Sequence, residues 1–90
     1  GVSGEIAVKM GNIMKSFSAS TQIINITHLP QIAAKGDAHF QVYKFEDNGK
    51  TFTSIKQLSE NERVEELAKM VGGNKLTETT LKTAKELLYG

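Results

Sequence analysis

The run Gln22–His28 (QIINITH), followed at once by Leu29-Pro30-Gln31, constrains the fold more than any other stretch of this 90-residue chain. Ile23, Ile24 and Ile26 form a short apolar run rich in β-branched residues, the pattern of a strand buried on both faces. Such a strand belongs to a parallel sheet with helices on either side, and ligands sit just beyond the carboxyl ends of strands in such sheets. Thr27 and His28 fall at that edge, immediately before Pro30 opens a helical turn. An imidazole there can donate to, or accept from, a phosphate or an attacking water. A histidine after a strand can equally be a structural residue, and residue type alone leaves both roles open.

On either side of this run the sequence is well punctuated. Ser3 is a candidate N-cap for a helix whose apolar residues Ile6, Met10, Ile13, Met14 and Phe17 recur at helical spacing, a stripe that reads as core packing. Pro30–Lys35 reads as a short helix, with Gly36 expected to close it in a left-handed conformation. Asp47-Asn48-Gly49-Lys50 predicts a two-residue type I′ hairpin turn between strands near Ala38–Glu46 and Thr51–Leu58. That turn sets Asp47 opposite Lys50, Phe45 opposite Phe52 and Val42 opposite Ile55, with the aromatic and β-branched pairs on opposite faces. Ser59 and Glu62 spell a capping box ahead of the stripe Val64, Leu67, Ala68 and Val71, which Gly72-Gly73 ends. Thr77 caps a last helix carrying Leu81, Ala84, Leu87 and Leu88, with Leu76 and Leu81 at staple spacing. The expected class is α/β: helix, buried parallel-type strand, short helix, β-hairpin and two final helices.

Ninety residues make at most one domain, and one of this size buries roughly 60–65% of the surface its unfolded chain exposes. Eleven basic and ten acidic residues are interspersed, for a formal net charge of +1. No block of like charge makes a stripe that could track a phosphate backbone. The absence of cysteine excludes a disulfide framework and thiolate metal sites. No apolar run approaches membrane-spanning length, so a cytoplasmic protein without a membrane partner is expected. A start at Gly1 without methionine suggests an excised piece.

Four segments in collinear order carry a resemblance. THLPQIAAKGDAHFQVYK is similar to the segment that follows the switch histidine in the RecN family of bacterial DNA-repair ATPases, relatives of the SMC and ABC-type ATPases. GVSGEIAVKMGNIM resembles the stretch after that family's Walker B carboxylates, SENERVEELAKMVGG its last conserved block, and LTETTLKTAKELL extends the match over nearly the whole chain. The resemblance implies that residues 1–90 are the C-terminal fragment of an ATPase head. It implies a parent that binds ATP and Mg2+, dimerises through a second head and acts on DNA in double-strand-break repair and recombination, at the nucleoid. It makes His28 the switch-loop residue that orients the γ-phosphate and the attacking water. Gly1, Val2, Ser3 and Gly4 then fall in the loop that touches the partner head across the nucleotide, where small residues suit close backbone approach; a plain glycine-containing helix lead-in is the alternative.

The chain departs from the family's full pattern. It contains no G-x-x-x-x-G-K-[ST], so the phosphate cradle is missing, and the acidic pair that holds magnesium would lie before Gly1. This fragment alone is therefore expected neither to hydrolyse ATP nor to bind it tightly. His39, on alternating strand spacing, reads as exposed or cross-strand; with His28 it is too isolated for a metal site. No serine has a hydrolase elbow around it. Two other readings stay open: a free-standing α/β module that recruits a partner at its hairpin edge, and the head of another SMC- or ABC-type ATPase.

Overall fold

Local sequence signals build most of the elements in the computed structural model, which describes residues 3–90. Ser3 takes an extended N-cap conformation and its hydroxyl accepts from the Ile6 amide at 3.3 Å, opening helix α1 over Gly4–Phe17. A four-residue helix α2, Pro30–Ala33, begins on proline, which is preorganised for a first helical turn. Strands β1, Phe40–Asp47, and β2, Lys50–Gln57, form a two-stranded antiparallel hairpin. Helix α3, Glu60–Gly72, starts at the Ser59/Glu62 capping box and stops at Gly73, whose φ of 65° is left-handed. Helix α4, Glu78–Tyr89, starts on Thr77, which exchanges hydrogen bonds with Thr80. The class is mixed α/β.

The hairpin has the expected register: Asp47 faces Lys50, Phe45 faces Phe52 and Val42 faces Ile55. Asn48 and Gly49 both have positive φ, 51° and 77°, which is what a type I′ turn demands. Phe45 and Phe52 stack with centroids 5.6 Å apart. At the open end the Leu58 amide donates to the His39 carbonyl at 2.8 Å. Gln41 reaches Glu66 at 3.3 Å and Lys56 reaches Glu62 at 2.7 Å, tying both strands to α3.

The core lies between α3 and α4, where Val64, Leu67, Ala68 and Ala84 are buried together with Ala34. Leu81, Leu87, Leu88, Ala33 and Met70 pack around this cluster. The stripes read on the last two helices thus face each other, except that Val71 stays exposed. Among the described residues no helix is long and apolar enough to cross a membrane.

Three expectations are corrected. Residues 22–27 form no strand, and Ile24 and Ile26 are 84% and 98% exposed. A strand needs a hydrogen-bonded neighbour, and the one sheet among the described residues pairs only β1 with β2. The α1 stripe is not core either: Ile6, Met10, Ile13 and Phe17 are exposed, whereas Ala7 and Gly11 are buried. The helix packs by its small residues because these let it approach the α2 backbone closely. Gly36 is not left-handed; the turn after α2 closes with the Gly36 amide donating to Ala33 and is held from outside by a side chain of α3.

Candidate functional site

His28 occupies a bend between the irregular run 22–27 and α2, and its side chain is exposed. The bend is a local hydrogen-bonded turn: Thr27 Oγ1 accepts from the Leu29 amide at 3.0 Å, as threonine hydroxyls do in ST turns. The Leu29 carbonyl then accepts from Ile32 and Ala33 at 3.1 and 3.0 Å, starting α2. His28 is thereby fixed to the helix that follows it, not to a strand that precedes it. An exposed imidazole on a short turn is free to reach a ligand supplied from outside.

Gly4 lies near the first turn of α2. A Cβ on Gly4 would sit 3.2 Å from Gln31 Nε2, so the amino end of α1 and the first turn of α2 share one edge of the molecule. Gly1 and Val2, of the same candidate loop, lie outside the described residues. The structure thus brings Gly4, next to Ser3 in the chain, close to the segment that carries His28. Further along, a Cβ on Gly11 would meet the Gln31 carbonyl at 3.1 Å and Lys35 Cγ at 3.0 Å. Lys15 forms an ion pair with Asp37, and this contact holds the Asp37 carboxyl below its ordinary range.

One residue that the sequence reading passed over proves central to this region. Arg63 is buried in α3, and its Nη2 donates to the carbonyls of Ala33 at 3.1 Å, Ala34 at 3.3 Å and Gly36 at 2.5 Å. An arginine on an otherwise apolar helix face was the available signal, since charged residues are rarely buried without partners. His39, expected to be exposed or cross-strand, is half-buried just before β1, with its carbonyl accepting across the hairpin from the Leu58 amide. Burial, and then the Arg63 charge, push its pKa below the ordinary value, while Glu66 works in the opposite direction.

No group of three or more histidine and acidic side chains among the described residues could hold a metal ion. A surface cleft of about 590 Å³ is lined by Lys15, Lys35, Asp37, Glu60, Arg63 and Tyr89 among others, without His28. Its walls mix both signs of charge, so it favours neither an anion nor a cation.

The chain is 46% identical over 89 residues to the DNA repair protein RecN of Rickettsia conorii, a match covering 99% of this chain. It is 42% identical over 88 residues to the same protein of Vibrio cholerae and 41% identical over 88 residues to that of Halalkalibacterium halodurans. This chain is a segment of the RecN family. No family model matches it. The chain spans about a sixth of the length of these RecN relatives, 16% in each case. The matched segment includes the exposed His28 turn and contains no G-x-x-x-x-G-K-[ST] motif.

Proposed function

We propose that this chain is part of the ATP-binding, ATP-hydrolysing head of a cytoplasmic RecN-type protein that supports double-strand-break repair and recombination. The observation that carries this reading is the collinear match to RecN over 99% of the chain, with His28 in an exposed turn. In this reading His28 places an imidazole against the γ-phosphate oxygens or the attacking water, where a positioned hydrogen-bonding group lowers the barrier electrostatically. Ser3 and Gly4, with Gly1 and Val2, meet a second head. The α- and β-phosphates and the magnesium ion are held by other parts of the parent. DNA engagement also belongs to the whole protein, since charge is evenly mixed along this segment.

The uncovered apolar surface supports the same reading. Ile6, Met10, Ile13 and Phe17 of α1 and Ile24 and Ile26 of the run 22–27 expose more apolar surface than scattered single residues do. In the parent, further segments of the head cover them, and residues 22–27 join its sheet. The test is His28→Ala in the full-length parent. ATP binding should persist while hydrolysis slows by ~10–1000-fold, as loss of a positioned electrostatic group does. A lowered melting temperature with unchanged turnover per folded molecule would make His28 a structural residue and end the catalytic reading. The isolated chain should show no turnover and no saturable micromolar binding of Mg-ATP.

A further inference from the structure

His28 stands where a segment the fold leaves free meets one that it grips from two sides. Before it, residues 22–27 pair with no strand among the described residues, and Asn25 makes only a long contact from Nδ2 to Met14 Sδ at 3.9 Å. After it, α2 is pressed against α1 at Gly11, where a Cβ would come within 3.1 Å of the Gln31 carbonyl. The carboxyl end of α2 is gathered by Arg63, whose Nη2 bonds the carbonyls of Ala33, Ala34 and Gly36. Lys15 adds an ion pair to Asp37, next in the chain.

Arg63 is only 7% exposed, and its hydrogen bonds go to backbone carbonyls instead of a carboxylate. Burying a charge is costly unless hydrogen bonds replace its water. Carbonyls at the carboxyl end of a helix and in the turn behind it supply such bonds, being partially negative and having lone pairs left over from the helix ladder. All three bonds come from Nη2, whose two N–H groups are shared among the three carbonyls, while Nε is buried without a partner. The pairing therefore orders one specific piece of backbone, and that piece begins at the Leu29 carbonyl, beside His28.

We propose that Arg63 is a positioning residue for His28: by fixing the carboxyl end of α2 it sets, through that short helix, where the imidazole is held. This rests on the reading of His28 as the phosphate-facing group. Arg63 touches no reacting atom. Its effect reaches the site through Ala33, α2 and the Leu29 carbonyl.

The experiment compares His28→Ala, Arg63→Met, Arg63→Lys and the His28→Ala/Arg63→Met pair in the full-length parent. It records kcat per folded molecule, KM for Mg-ATP and melting temperature. Arg63→Met should lower kcat by ~10–100-fold, as misplacing a reacting group by about an ångström does. KM should stay within about two-fold, because the phosphate grip lies elsewhere. The double variant should be no slower than His28→Ala alone, and Arg63→Lys should recover part of the loss. If Arg63→Met does not fold, Arg63→Lys paired with His28→Ala carries the same comparison. Wild-type turnover in the Arg63 variants with a lower melting temperature would reduce Arg63 to a brace and overturn the proposal while leaving His28 standing. Slowing that multiplies with that of His28→Ala would overturn it as well, by placing the action of Arg63 elsewhere. Wild-type turnover in His28→Ala would instead remove the His28 reading and this one with it, whatever the Arg63 variants do.

Discussion

Glu62 serves two contacts with one carboxylate. Oε1 accepts from the Ser59 amide at 3.0 Å to complete the capping box of α3, and Oε2 accepts from Lys56 of β2 at 2.7 Å. The Lys56 ammonium, first, and the Ser59 amide and hydroxyl, second, pull the Glu62 pKa from an ordinary 4.5 down to about 2. A depressed carboxylate contributes stability that is fully present above its unfolded value and lost as pH falls through its folded value. Glu62→Gln should therefore destabilise the fold at pH 7. The gap from wild type should close as pH falls from about 4.5 to about 2, and added salt should narrow it at neutral pH. Chemical denaturation of both proteins across that range checks this, and a gap that widens on acidification would contradict it. Of the two contacts only the box was legible in the sequence, because S-x-x-E is local, whereas Lys56 arrives through the hairpin register.

At the scale of elements, α1 and the hairpin show how small residues decide packing. Ala7 and Gly11 sit one turn apart on the buried face of α1, and the α2 backbone lies against Gly11. Gly11→Leu should force the two helices apart and cost ~1–3 kcal/mol, the usual range for overpacking a close contact. A shift in denaturation midpoint with the slope unchanged is the expected readout. In the hairpin, Gly49 has φ of 77° with open space around a would-be Cβ, so the penalty for a side chain is backbone strain alone. Gly49→Val should cost ~1–2 kcal/mol, the left-handed penalty for an L residue. Cross-strand proton contacts between Val42 and Ile55 should weaken together with those between Phe45 and Phe52, since one turn sets both pairs.

For the molecule as a whole, the core is small and uneven. Leu67 is the largest side chain that is fully buried, and it sits where α3 meets α4. Leu67→Ala should cost ~2–5 kcal/mol, as emptying a core leucine site does. Ile26, by contrast, makes almost no burial in this chain. Ile26→Glu should leave the stability of the 90-residue chain unchanged while markedly destabilising the full-length parent, where this surface is proposed to be covered. Equal effects in both settings would argue that the run 22–27 is a solvent-exposed loop in the parent too.

Features that depend on neighbours within a few residues were legible in the chain before folding. The Asn48-Gly49 turn and its register, the Ser3, Ser59 and Thr77 caps, the Gly73 stop and the apolar stripes of α3 and α4 all rest on local dihedral preferences and helical periodicity. His28 was legible as a candidate in the same way, through its place between an apolar run and Pro30. Tertiary structure alone decided which apolar faces find a partner. Ile23–Ile26 has the composition of a buried strand, but composition cannot provide the neighbouring strand that a ladder requires, and Ile24 and Ile26 stay in solvent. The Ile6–Phe17 stripe has the period of a core helix, yet α1 meets α2 at Gly11, because close backbone approach favours the smallest side chains. Arg63 shows the same division: its place on α3 follows from helical spacing, whereas its grip on Ala33, Ala34 and Gly36 exists only because folding brings carbonyls from 27 to 30 residues away to its guanidinium.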